Sequence, residues 1–265
     1  MARRSFSQFD LYGRCPERYR LQRIVKVPEP PSMWLPAGSV AGEACDMFDY
    51  GSSRDNVIGF FEERFEEAVA ALEEQHEMPR SLFQVNGKNK TSLPEGKTFE
   101  WWVANFPVML DKYITWRETS GYEVAVFDGE LAIELEIHLD LGQGTEVVGY
   151  ADRLFVRPDG KFEVVDLKAG MSQPGVYQLA TYSYGIAVQY GVDVPYGSFF
   201  MLQKNGQSKP QWLPKYTAGS VVQQSYRRLD EAIKAGHFVP NISGDCARCP
   251  MSEHCAFVGF QTPIK

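Results

Sequence analysis

Apolar positions recur along this chain with two periods, and the change from one to the other falls near residue 120. Up to that point the spacing is helical. Phe9, Tyr12 and Tyr19 give the first twenty residues an apolar side, with Ser7 placed to cap. Four prolines between Val27 and Pro36 predict an extended connector. The helical pattern returns over Gly38–Tyr50. It returns again over Phe60–Gln75, where Phe61, Phe65, Val69 and Leu72 oppose a glutamate-rich, solvated face. Gln84–Lys97 reads as a polar loop, and Trp101–Thr119 as a third long helix whose aromatics belong to the core.

Beyond residue 120 the period drops to two. Tyr122–Leu141, Val147–Val156 and Lys161–Leu167 alternate as strands do, and Pro158-Asp159-Gly160 supplies a turn. Val176–Tyr190 is helical. Gly197–Lys204 and Ser208–Leu213 flank Asn205-Gly206, a hairpin signal, and Ala218–Ala235 is a last helix. The expected fold is α/β of the mixed α+β kind, a central mixed sheet flanked by helices. It is read as one domain over 1–265: a helical portion (1–120), a sheet-and-helix segment (121–215), and a closing helix with a cysteine-rich tail (216–265). No internal repeat or low-complexity tract interrupts it.

Composition agrees with a globular chain: 265 residues, 44% hydrophobic and 23% charged. The formal net charge of −7 argues mildly against nonspecific nucleic-acid binding, although a local basic groove steers a polyanion whatever the total. The first ten residues lack the apolar run of a signal peptide, and no stretch approaches the roughly 18 apolar residues of a membrane span. The expectation is a cytoplasmic protein that avoids membranes. Five cysteines, an odd number, do not suggest a disulfide framework there.

Chemistry concentrates in three nearby segments: Gly149-Tyr150-Ala151-Asp152-Arg153, Val164-Val165-Asp166-Leu167-Lys168, and Gln178-Leu179-Ala180-Thr181-Tyr182. Phosphodiester hydrolysis needs a hard cation that neutralises the phosphate and acidifies a water. Mg²⁺ and its relatives take oxygen ligands, typically one or two carboxylates. Asp152 and Asp166 lie on neighbouring strands of one hairpin, and the Leu167 carbonyl offers a third oxygen. Lys168, two residues from Asp166, shares its face and suits the attacking water or the phosphate. Gln178 and Tyr182, four apart on the next helix, share a face and point to the nucleic-acid backbone or the lysine.

Gly-x-x-Asp, Asp-x-Lys and Gln-x-x-x-Tyr in this order and spacing, with Glu134 or Glu136 on the preceding strand, resemble the RecB-type branch of the PD-(D/E)XK nucleases. The resemblance implies a restriction-endonuclease-like fold, Mg²⁺ or Mn²⁺, and cleavage of DNA. That branch usually carries a metal-binding histidine in a Gly-x-x-x-His pattern. Here Gly38-Ser39-Val40-Ala41-Gly42 puts glycine at that place, leaving Glu43 and His138 as substitutes. The alternative this opens is a weakened or silent DNA-binding scaffold that keeps the fold.

Cys246, Cys249 and Cys255 form C-x₂-C-x₅-C, three soft ligands within ten residues, and Cys15 is the candidate fourth. Spacing alone leaves zinc and a 4Fe–4S cluster open. One amino-terminal cysteine with three carboxy-terminal ones, together with Ser7, Tyr12, Cys15 and Pro16, resembles the iron–sulfur subgroup of these nucleases. That subgroup includes the CRISPR-associated adaptation exonuclease, the AddB nuclease and phage exonucleases, and it implies a structural 4Fe–4S cluster. Cys45 is left over and expected in the core.

Gly96-Lys97-Thr98 ends like a phosphate-binding loop, but Thr91 stands where the first glycine is required. Lys88, Lys90, Lys204 and Lys209 are loop lysines, read first as solvated and second as phosphate contacts. The functional expectation is a metal-dependent DNA exonuclease acting on single strands or DNA ends in replication, recombination or repair. A helicase or recombination protein is its expected partner, and the oligomeric state is open.

Overall fold

In the computed structural model, residues 2–142, 144–204, 206–217 and 221–258 are described. In chain order they form β1 (Ala2–Arg4), α1 (Phe6–Arg14), α2 (Pro16–Tyr19), a π-helical turn (Arg20–Val25), α3 (Trp34–Asp49), α4 (Arg54–His76) and α5 (Phe99–Thr119). Strands β2 (Glu123–Val124), β3 (Val126–Phe127), β4 (Glu130–Leu131), β5 (Ile133–Gly142), β6 (Thr145–Val156) and β7 (Phe162–Lys168) follow. After them come α6 (Tyr177–Tyr190), β8 (Tyr196–Met201), β9 (Gly206–Gln207), β10 (Gln211–Trp212), α7 (Pro214–Thr217) and α8 (Val221–Lys234). The result is the expected mixed α/β architecture.

Two compact units can be distinguished. One comprises Met1–Pro30, Glu136–Gly149 and Tyr216–Lys265; the other comprises Pro31–Leu135 and Tyr150–Lys215. In the first, β1 runs parallel to the start of β6 (Ala2 opposite Thr145), and Arg4 and Thr145 both bond the buried Asp230 of α8.

The second unit holds the centre of the sheet. β6 and β7 are antiparallel, with Arg153 opposite Val165, and β7 and β8 are parallel, with Asp166 opposite Phe199. Parallel neighbours need a crossover, and α6 provides it. β7 is buried along Glu163–Leu167, as a strand covered on both faces must be. α3, α4 and α5 contribute Ala41, Phe61, Phe65, Trp102 and Phe106 to one core with Phe155 and Phe200 of the sheet. The Phe61 and Phe106 rings stack at 3.8 Å.

Several boundaries differ from the sequence reading, each for a local reason. Ser5, not Ser7, caps α1, its side chain accepting from Gln8 N at 3.3 Å. α3 starts at Trp34, inside the expected connector, because the first helical turn accepts Pro36. α4 starts six residues early, capped by Ser53; its first three residues are polar, and Val57 behind them joins the core. The run Tyr122–Leu141 is broken by a tight β3–β4 hairpin at Asp128-Gly129, where φ is 50° and 86°. β8 and β9 pair antiparallel, with Phe200 opposite Gln207. Asn205 of the expected turn and Ala218, the expected start of the last helix, lie outside the described residues.

Candidate active site

β6 and β7 carry the central carboxylates side by side. Asp152 Oδ2 accepts from the Leu167 N–H at 2.7 Å, which ties its side chain to the neighbouring strand. Asp166 is fully buried; its Oδ2 lies 2.5 Å from Lys168 Nζ, and its Oδ1 accepts from Gln178 Nε2 at 2.7 Å. Gln178 Nε2 also reaches Tyr182 Oη at 3.0 Å. Gln178 and Tyr182 are both buried, so these side chains lie in the interior rather than along an exposed nucleic-acid path. The sequence reading aimed them at DNA or the lysine; the structure turns Gln178 onto Asp166.

Asp152, Leu167 and Lys168 line a cleft of about 660 Å³ together with Glu134, Asn86 and Trp102. α3 contributes Leu35, Gly38, Ser39, Gly42, Glu43 and Asp46 to it, a stripe with helical spacing. The opposite face of α3 packs Ala37, Val40, Ala41, Ala44 and Cys45 into the core.

The electrostatics are those of crowded, poorly solvated acids. Desolvation raises the pKa of Asp166, and the neighbouring Asp152 raises it further. Asp152 is raised by desolvation, against the pull of Lys168. Glu134, although its side chain reaches solvent, is pushed up to about 7 by partial desolvation in the cleft and by Asp152 and Asp46. Burial opposes charge on Lys168, but the facing Asp166 and Asp152 outweigh it and hold its pKa above the ordinary lysine value. Crowding and burial favour the neutral forms of these acids, a cost that a bound cation would relieve, and hard oxygen donors of this kind suit Mg²⁺ or Mn²⁺. Among the described residues, no three His, Cys, Asp or Glu side chains converge closely enough to make a ready ion shell. A cation here would therefore draw on Asp152, Asp166 and the Leu167 carbonyl. Glu134 has a left-handed backbone, φ 49°, unusual for a residue with a side chain.

A buried network supports this site, and the sequence reading missed it. Arg153, next to Asp152, is 1% exposed and pairs with Asp46 and, at 2.6 Å, with Asp49. Asp49 also accepts from Tyr113 Oη at 2.5 Å and Arg117 Nε at 2.7 Å. Asp46 lies one helical turn after Gly42, a spacing that could have flagged it.

The two substitutes for the absent histidine differ in place. Glu43 lines the cleft and pairs with Arg64 at 3.5 Å. His138 contacts Glu136 at 3.0 Å on an exposed stretch. Lys97, of the incomplete phosphate-loop pattern, is buried and donates to Gln203, while Thr98 caps α5. Lys88, Lys90, Lys204 and Lys209 are exposed.

The cysteines form a second constellation, in the first unit. Cys15, Cys246, Cys249 and Cys255 line one small apolar cavity with Leu21, Ile242 and Met251. All are free thiols. The Asn241 N–H points at Cys15 Sγ and the Ser243 N–H at Cys246 Sγ, each at 3.4 Å. Asn241 Nδ2 also bonds the Arg14 carbonyl at 2.9 Å, holding the two chain ends together. Among the described residues these thiols, like the acids, do not converge closely enough to make a ready metal shell. Cys45 is buried in the core, as expected.

Comparison with known proteins places these features in a family. The Gene 69 protein of Mycobacterium phage D29 is 32% identical over 281 residues, covering 95% of this chain and 96% of its own length. The Gene 69 protein of Mycobacterium phage L5 is 25% identical over 299 residues, covering 95% of each. The structure of a candidate exonuclease from Eubacterium rectale aligns over 98% of this chain and 88% of its own, with 12% identity and a TM-score of 0.48. The pattern of the PD-(D/E)XK nuclease superfamily matches residues 3–256, almost the whole described chain, so the chain belongs to that superfamily.

Proposed function

We propose that the protein is a metal-dependent DNA exonuclease acting on single strands or DNA ends, with a 4Fe–4S cluster as a structural element. The observation that carries the catalytic part is the buried Asp166, held by Lys168 on one oxygen and Gln178 on the other beside Asp152. In this reading Asp152, Asp166 and the Leu167 carbonyl hold Mg²⁺ or Mn²⁺. The bound ion supplies neutralisation of phosphate charge and a more acidic water. Lys168, at the cleft wall, holds the scissile phosphate or the attacking water. Gln178 is a positioning residue that fixes the Asp166 carboxylate, and Tyr182 in turn fixes Gln178.

The cluster part rests on four free thiols from both ends of the chain lining one cavity. Its role is to close a long loop that a flexible chain closes at an entropic cost. Free thiols fit a reducing, cytoplasmic setting. A helicase or recombination partner would supply the single strand.

Digestion of end-labelled oligonucleotides tests the catalytic reading. Cleavage should require Mg²⁺ or Mn²⁺ and stop on chelation. The open space at Gly42 motivates the second reading, a silent DNA-binding scaffold, which requires binding without cleavage. Iron and sulfide content after anaerobic purification tests the cluster. Stoichiometric zinc without iron would assign the four cysteines to zinc and leave the nuclease reading intact.

A further inference from the structure

We propose that the active-site cleft contains a nucleobase subsite, formed by Trp34, Leu35 and Trp102, that takes one unstacked base of a single strand. This rests on the nuclease reading above and narrows its substrate class. Three observations carry it. First, these side chains line the same cleft as Asp152 and Lys168, so a strand whose phosphate reaches the carboxylates passes beside them. Second, Leu35 is 65% exposed although apolar, and Trp34 is only partly buried, its packed side against the core. Both open an apolar surface at the start of α3. Third, Trp102 is 1% exposed and its indole N–H has no hydrogen-bond partner among the described residues. A buried donor without a partner is uncommon.

The chemistry selects the ligand. A flat aromatic group suits an indole face and an aliphatic edge and covers more of both than a sugar ring does, whereas a charged phosphate does not suit them. A base inside a duplex has both faces covered by its neighbours, so only an unpaired, unstacked base offers a face to Trp34. The cleft, at about 660 Å³, lies within the usual size of small-ligand sites and admits a nucleotide. Asn86 lines the same wall and can meet the polar edge of the base.

The test is an abasic scan. A labelled single-stranded oligonucleotide is bound to the Asp166→Asn protein, which blocks hydrolysis, and each nucleotide in turn is replaced by an abasic one. One position should weaken binding about tenfold, within the range expected for a base–aromatic stack. In the Trp34→Ala background that penalty should fall below about twofold, and Trp34→Phe should retain most of it. Leu35→Ala, at a more exposed position, should reduce the same penalty and no other. It carries the test if Trp34→Ala does not fold. Binding that is indifferent to every abasic position, or a penalty unchanged in Trp34→Phe, Trp34→Ala and Leu35→Ala, overturns the subsite while leaving the nuclease reading in place. Absence of any single-strand binding overturns the subsite and restricts the nuclease reading to duplex ends, which digestion of end-labelled duplex tests separately.

Discussion

Asp49 is the residue whose removal the structure prices most clearly. Its side chain is fully buried and accepts from Arg153 Nε at 2.6 Å, Arg117 Nε at 2.7 Å and Tyr113 Oη at 2.5 Å. Asp49→Ala leaves Arg153 in the interior with Asp46 as its remaining acidic partner. Breaking a buried ion pair by deleting one member costs about 3–5 kcal/mol, because the other charge stays desolvated. At about 2–4 °C per kcal/mol for a chain of this size, the melting midpoint should drop by about 6–20 °C. Tyr113→Phe removes one hydrogen bond to the same carboxylate and should cost about 1.5–3 kcal/mol. The double variant should lose less than the sum, since the tyrosine bond is already gone in Asp49→Ala. Urea denaturation followed by circular dichroism reads all three. An Asp49→Ala protein within 1 kcal/mol of the parent, or strict additivity with Tyr113→Phe, would refute the reasoning. Because Arg153 also donates to the Asp152 carbonyl at 2.7 Å, activity should fall in Asp49→Ala even where the protein remains folded.

Other outcomes follow from single positions. Glu134→Gly should relieve a left-handed backbone and stabilise the fold by about 1 kcal/mol while lowering cleavage, a split that melting and digestion of one preparation will show. The same substitution at two glycines should have opposite signs. Gly42→Ala meets nothing within 4 Å on a helix and should stabilise by about 0.5–1 kcal/mol, whereas Gly197→Ala brings its Cβ to 2.9 Å from Leu179 and should destabilise by about 1–3 kcal/mol. Cys45 is fully buried and its thiol pKa is raised by desolvation, so iodoacetamide at mild alkaline pH should leave it unmodified until the protein is unfolded. Mass spectrometry of the native protein showing rapid Cys45 alkylation would contradict that burial.

What was legible in the sequence is what strands write locally. Asp152, Asp166 and Lys168 could be placed on facing strands because a period of two and a Pro-Asp-Gly turn define a hairpin without tertiary information. Three of the cysteines, Cys246, Cys249 and Cys255, were visible as a spacing, whereas Cys15 was a candidate supported by resemblance to a family. The role of Gln178 was not, because helix phase gives a shared face but not what that face meets; burial turned it onto Asp166. The Arg153–Asp49 pair joins residues 104 positions apart, and no local pattern announces such a contact. Left-handed Glu134 was hidden for a related reason: nothing in its residue type announces a positive φ near the start of β5. Trp34 and Leu35 were absorbed into an expected proline-rich connector, which concealed their place on a helix beside the cleft.

The central claim is that Asp166 and Lys168 work as one unit on a phosphodiester beside Asp152. The most direct measurement is time-resolved digestion of 5′- and 3′-labelled single- and double-stranded DNA with Mg²⁺ or Mn²⁺, comparing the parent with Asp166→Ala, Lys168→Ala and the double variant. The account predicts metal-dependent release of short products by the parent and a loss of at least about a hundredfold in each single variant. It also predicts little further loss in the double variant, as expected of groups acting as a unit. Folded Asp166→Ala protein that digests DNA at the parent rate would contradict it.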